Sequence, residues 1–68
     1  MEDWVMYTFY VIYDVFTMSF VRAGRGLYWT HSMNNAKHFT SRWSAESFIQ
    51  HNWTDELSEC LVKEIKRY

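Results

Sequence analysis

Aromatic and β-branched side chains fill both alternating sets of positions from Tyr7 to Tyr13. Tyr7, Phe9, Val11 and Tyr13 fall on one side, and Tyr10 and Ile12 on the other. Such residues suit a pleated, half-buried surface, which predicts a strand over residues 8–15. Both faces are apolar, so this is a central strand, or an edge strand covered by another molecule. A turn is expected over 14–17. Met18, Phe20 and Arg22 then alternate with Ser19 and Val21 as a second strand does. Ala23-Gly-Arg-Gly is the clearest breaker, because glycine supplies the positive φ that tight turns need. A short third strand is expected over 27–30, completing an antiparallel meander.

Beyond this block, residues 31–35 read as a polar loop. Residues 36–39 read as a brief extended segment with Phe39 pointing into the core. Ser41 is a candidate N-cap, since its hydroxyl can accept from a free amide of a first helical turn. A helix is predicted over 42–52, with Ala45, Phe48 and Ile49 as its apolar stripe and Arg42, Glu46 and Gln50 opposite. Two readings stay open for the tail. Thr54 can cap a second helix, in which Leu57, Leu61 and Ile65 recur at four-residue intervals, and the pattern alone favours this. Alternatively, the chain from Cys60 onward is an edge strand with charged exposed positions. Trp4, Val5 and Met6 are too apolar for a free lead and are expected to be tied down.

Composition changes this picture in one respect. A chain of 68 residues is one domain and buries only about 60% of its unfolded surface. Its lone cysteine, Cys60, offers no internal disulfide. Four Trp, five Tyr and five Phe supply large rings, each burying roughly 150–250 Å². They are more than one small core can enclose. Some are therefore expected at the surface, where exposed aromatic area marks a partner or a second copy.

Charge weighs against one broad class. Seven basic against eight acidic residues leave no basic footprint for sequence-independent nucleic-acid binding. The single cysteine suits a reducing compartment, and the acidic start, Met-Glu-Asp-Trp, lacks the basic region of a signal peptide. The longest purely apolar run, residues 9–13, is far short of a membrane span. The expectation is a soluble intracellular protein with an intact start and no membrane partner.

Phe9-Tyr-Val-Ile-Tyr, Ser19-Phe-Val-Arg, Gly26-Leu-Tyr-Trp-Thr, Asn35-Ala-Lys-His-Phe and Ser41-Arg-Trp-Ser-Ala-Glu-Ser-Phe-Ile follow one another in series. In this order they resemble a class of small, mostly uncharacterised bacteriophage proteins. The resemblance covers roughly residues 8–50 and consists of packing positions, not chemistry. It implies an α+β fold with one helix on one face of a small antiparallel sheet. It also implies a strand at about 60–66 and a setting in the cytoplasm of an infected bacterium.

Candidate chemistry is sparse. His31, His38, His51 and Cys60 are ligand types, but their spacing fits no zinc pattern. Cys60 with a histidine makes a nucleophilic pair only if the fold joins them. Asp55, Glu56 and Glu59 cluster where a helix start or polar loop has them anyway. Arg22, Gly24, Arg25 and Gly26 lack the context of a P-loop, so a hairpin turn with exposed arginines is expected. No catalysis, metal or cofactor is expected.

The expected function is therefore binding: a non-catalytic protein that modulates or inhibits a host or phage protein. Arg22, Arg25 and Trp43 are its candidate contacts, with homodimerisation through an open strand edge as a further expectation. Trp43 falls off the apolar stripe of the helix, whereas Trp53 is expected to close the core. The alternative is a binder of single-stranded nucleic acid or nucleotides, stacking bases on Tyr28 and Trp29 beside Arg22 and Arg25.

Overall fold

The computed structural model describes residues 7–67. The expectation about Trp4, Val5 and Met6 lies outside them. Strand β1, Tyr7–Asp14, forms the axis. Along one side it pairs antiparallel with β4, Cys60–Arg67, from Tyr7 opposite Arg67 to Asp14 opposite Cys60. Along the other it meets β2, Ser19–Val21, at only two positions, Tyr13 with Phe20 and Asp14 with Ser19. Strand β3, Trp29–Thr30, pairs with β2, so the sheet runs β3-β2-β1-β4. The fold is α+β, an antiparallel four-stranded sheet with one helix.

Both inner connections differ in length from the sequence expectation. The alternation predicts a second strand over 18–22 and a third over 27–30; β2 is one residue shorter at each end, and β3 begins two residues later, at Trp29. Met18 is drawn into the β1–β2 turn with φ of 57°. Gly24 and Gly26, at φ of 110° and 80°, occupy the turn before β3.

The early parting of β1 and β2 opens a gap that residues 36–39 fill. Tyr10 and Phe39 exchange backbone hydrogen bonds of 2.9 and 2.8 Å. On its other side the segment holds β2, with the Lys37 amide donating to Val21 at 2.8 Å and the Ala23 amide to Asn35 at 2.9 Å. Side chains alternate along it. Ala36 and His38 serve one face, where His38 stacks on Phe9 at 4.0 Å. Lys37 and Phe39 serve the other, where both meet Phe48.

These alternations build two apolar layers. Where helix α1, Arg42–His51, meets the sheet, Ala45 of the helix is buried with Ile12, Val21, Phe39 and Leu57, and Trp29, Phe48, Ile49 and Val62 pack against them. On the opposite face Phe9, Val11 and Ala36 are buried among Phe20, Met33 and Ile65. The doubly apolar β1 is thus covered on both sides by its own chain. Helix α1 starts as its sequence predicts: the Ser44 amide donates to Ser41 Oγ at 3.1 Å. It ends at Asn52, whose amide still reaches the Phe48 carbonyl at 3.0 Å.

The tail is strand, not a second helix. Only a short 3-10 turn, Leu57–Glu59, precedes β4. It serves to drive Leu57 into the core, where it is 1% exposed. Leu61 and Ile65, which share a face at helical spacing, share one here too. In the strand, however, Lys63 stands between them, and every residue of β4 gains a partner on β1.

Candidate functional site

Three surfaces carry the chemistry. The first is the set of large side chains left outside the two layers. Trp43 is 75% exposed in the first turn of α1, and Phe16 is 74% exposed at the β1–β2 turn. Trp53 was expected to close the core, but it is 59% exposed. The helix stops at His51, so the face that would have carried Trp53 onto the sheet ends two residues earlier, and Leu57 closes the core instead.

Arg22, Arg25 and Trp43 do not form one patch. Both arginines are exposed beside the turn between β2 and β3. Trp43 rides on α1, whose main contacts are with β1 and β4. Arg42 beside it donates through Nη1 to the Val62 carbonyl at 3.5 Å and lies over the Tyr10 ring. That ties Trp43 to the β4 side of the sheet, across β1 from the arginines. Tyr28 and Trp29 are likewise separated. Trp29 packs on the helix-side layer, while Tyr28 is exposed.

A second surface is a cleft of about 290 Å³ at the end of β1, lined by Asp14, Thr17, Ser19, Trp29, Thr30, His31 and Glu56. Its polar groups are largely engaged in building the turn. Asp14 accepts from the Phe16 amide at 2.9 Å, Thr17 and Ser19 share a hydroxyl bond of 2.6 Å, and His31 Nδ1 meets the Met18 carbonyl at 3.2 Å. The cleft thus braces the β1–β2 connection.

Cys60 sits beside it and is not set up as a nucleophile. Burial first, and then the carboxylates of Asp14, Glu56 and Glu59, push its thiol up to about 11. Nucleophilic cysteines need the opposite, a cationic neighbour that stabilises thiolate. The histidines are dispersed: His38 on Phe9, His51 on the Ser47 carbonyl at 2.8 Å, and His31 in the cleft. Among the described residues no three of His, Cys, Asp and Glu gather as metal ligands. No helix among them is long and apolar enough to cross a membrane.

The third surface is the sheet face away from α1, together with the outer edge of β4. The pairing register places Tyr7, Phe9, Val11 and Tyr13 on this face, opposite Arg67, Ile65, Lys63 and Leu61. Lys63 Nζ lies 4.7 Å from the centre of the Tyr13 ring, and the Arg67 guanidinium 5.6 Å from that of Phe9. Arg22 follows Phe20 on the same side and is bridged to Ala36. Among the described residues the strands put no acidic side chain here. Asp14 and Glu64 project to the helix side, opposite Cys60 and Tyr10.

A chain of almost balanced charge therefore has one cationic, aromatic face. This asymmetry was not legible in the sequence, because it depends on the register of a tail whose secondary structure the pattern left open. The chain matches no protein-family model, no curated protein and no solved structure.

Proposed function

We propose that this chain is a small non-catalytic interaction module that binds another protein. One observation carries the reading: large side chains, above all Trp43, stay exposed although two closed apolar layers are available to take them. Ordinary surfaces leave single apolar residues bare, but tryptophan on a rigid element is the side chain most enriched where binding energy concentrates. Trp43 is fixed by the capped first turn of α1 and so loses little freedom on docking. The resemblance of residues 8–50 to small bacteriophage proteins supplies the setting. The partner is a host or phage protein in the cytoplasm of an infected bacterium, and binding modulates or inhibits it.

Single-stranded nucleic acid is the alternative, and the cationic aromatic face is what favours it. Two features weigh against it. The rings of Phe9 and Tyr13 already have cations over them, and Trp29 belongs to the other face. Bases need free ring faces to stack.

Affinity capture of the tagged full chain from infected-host lysate, with and without nuclease, tests the reading. One stoichiometric protein retained after nuclease, and lost with Trp43→Ala, is expected. Recovery of nucleic acid, with every protein released on digestion, overturns it.

A further inference from the structure

Among the described residues, β4 ends the sheet and no strand pairs with its outer edge. An eight-residue edge is long, and apart from the Val62 carbonyl that Arg42 already reaches its outward backbone groups are open to another strand, with its charges restricting which one. Two copies pairing antiparallel through β4 about a twofold axis have two registers that use seven of its eight residues. One, over 60–66, is centred on Lys63 and sets it against Lys63 of the second copy. The other, over 61–67, is centred on Glu64 and sets Glu64 against itself. Like charges directly opposed destabilise a strand pair, and shifting further shortens the pairing to five residues or fewer. The edge is thereby set against its own copy.

The same edge suits a different strand. Leu61, Lys63, Ile65 and Arg67 alternate apolar and cationic along the face away from α1. An added strand with acidic and apolar residues at every second position matches them. Its acids would meet Lys63 and Arg67 on a face to which the strands, among the described residues, contribute no carboxylate. On the helix side it would run beneath the first turn of α1, where Arg42 approaches Val62 and Trp43 stands exposed.

We propose that the outer edge of β4 binds an acidic extended segment of a partner protein by strand addition. This rests on the interaction reading above and names its surface and partner chemistry.

The probe is an eight-residue peptide with glutamate and valine alternating at every second position and threonine between them. Binding to the full chain is followed by fluorescence anisotropy at low salt. The expected results are saturable binding, loss of at least tenfold in affinity with Lys63→Glu/Arg67→Glu, and no binding when lysine replaces glutamate in the peptide. N-methylation of the peptide on one alternate set of amides should abolish binding, and on the other set should leave it intact. That asymmetry belongs to a strand with one hydrogen-bonded edge and needs no protein variant to fold. Equal tolerance of both methylated sets overturns strand addition in favour of diffuse charge attraction. A dT12 oligonucleotide that binds more tightly and displaces the peptide overturns it in favour of nucleic acid. A dimer seen by sedimentation that dissociates as peptide binds overturns it in favour of a second copy. Absence of peptide binding overturns it as well. If Lys63→Glu/Arg67→Glu still retains the protein captured from lysate, the edge proposal fails while the interaction reading stands. If no protein is captured by the native chain, the interaction reading itself fails.

Discussion

Tyr10 and Phe39 hold each other by two backbone hydrogen bonds, of 2.9 and 2.8 Å, at the point where β1 has already parted from β2. Tyr10 would otherwise have an open backbone edge at the centre of the sheet, which is costly when buried. Phe39 closes that edge with its backbone. Its ring meets Phe48 at 5.6 Å in an edge-on arrangement, which fastens the helix to the same spot. One residue thus joins the sheet, the inserted segment and the helix.

Phe39→Ala should therefore be among the most damaging single substitutions. Deleting a buried phenylalanine costs about 3–5 kcal/mol. At roughly 0.05–0.15 kcal/mol per residue, a chain of 68 residues has about 3–10 kcal/mol in total. Urea denaturation should show stability reduced by that cost, about a third or more of the total, while Phe39→Leu loses less and keeps a cooperative transition. A Phe39→Ala transition within about 1 kcal/mol of wild type would mean that the inserted segment does not anchor the helix.

Cys60 makes alkaline stability a second test. Its folded thiol is raised from 9.0 to about 11, first by burial and then by Asp14, Glu56 and Glu59. The folded state thus holds the proton more tightly than the unfolded state. The resulting stabilisation is complete below pH 9 and disappears as pH rises to about 11. Wild type should lose more stability than Cys60→Ser between pH 8 and 11, a difference that cancels the other groups titrating there. Alkylation by iodoacetamide should stay slow at pH 8 and accelerate only in strong alkali. Rapid labelling at pH 7 with the fold intact would contradict this environment.

Much of the fold was legible because local chemistry and tertiary packing agree there. The β1 residues are strong strand formers on both faces, and both faces are indeed buried. Ser41 and the Ala45–Phe48–Ile49 spacing fix the start and orientation of α1. Legibility fails where one residue acts alone. Leu57 lies among polar neighbours, and its four-residue spacing to Leu61 and Ile65 points to a helix, yet it is a core plug set by one 3-10 turn. Trp53 looks like core by its spacing from Ala45, but that spacing counts only while the helix continues. For the site, exposure of Trp43 follows from its position off the stripe. Its separation from Arg22 and Arg25 does not, since the sheet order decides it. Nor does the gathering of cations on the face away from α1, which requires Lys63 and Arg67 to be registered against Val11 and Tyr7.

Met18 supplies a prediction of the opposite sign. It is exposed and holds φ of 57°, where a side chain is crowded against its own carbonyl. Glycine removes that crowding, and the bond to His31 uses the Met18 carbonyl and survives. Met18→Gly should raise stability by about 0.5–1 kcal/mol, read as a higher denaturation midpoint. Met18→Ala, which keeps a Cβ, should not. If both variants gain equally, the benefit comes from removing an exposed apolar chain and not from backbone relief.

Trp43 and Trp53 are both exposed, and their substitution separates stability from binding. Neither belongs to a buried layer, so Trp43→Ala and Trp53→Ala should each shift unfolding by less than about 0.5 kcal/mol. Only Trp43 is held on a regular, capped turn adjoining β4. Its loss should weaken the captured partner by about 2 kcal/mol, a thirtyfold rise in Kd. Trp53 follows the helix end, outside any regular element, so its variant should bind within about twofold of wild type. Titration calorimetry against the purified partner gives both values, with urea midpoints measured on the same preparations. If the two variants lose affinity equally, the binding surface extends past the C-terminus of α1, and the first turn of the helix is not its centre. If Trp43→Ala binds unchanged while remaining folded, Trp43 is an ordinary exposed side chain.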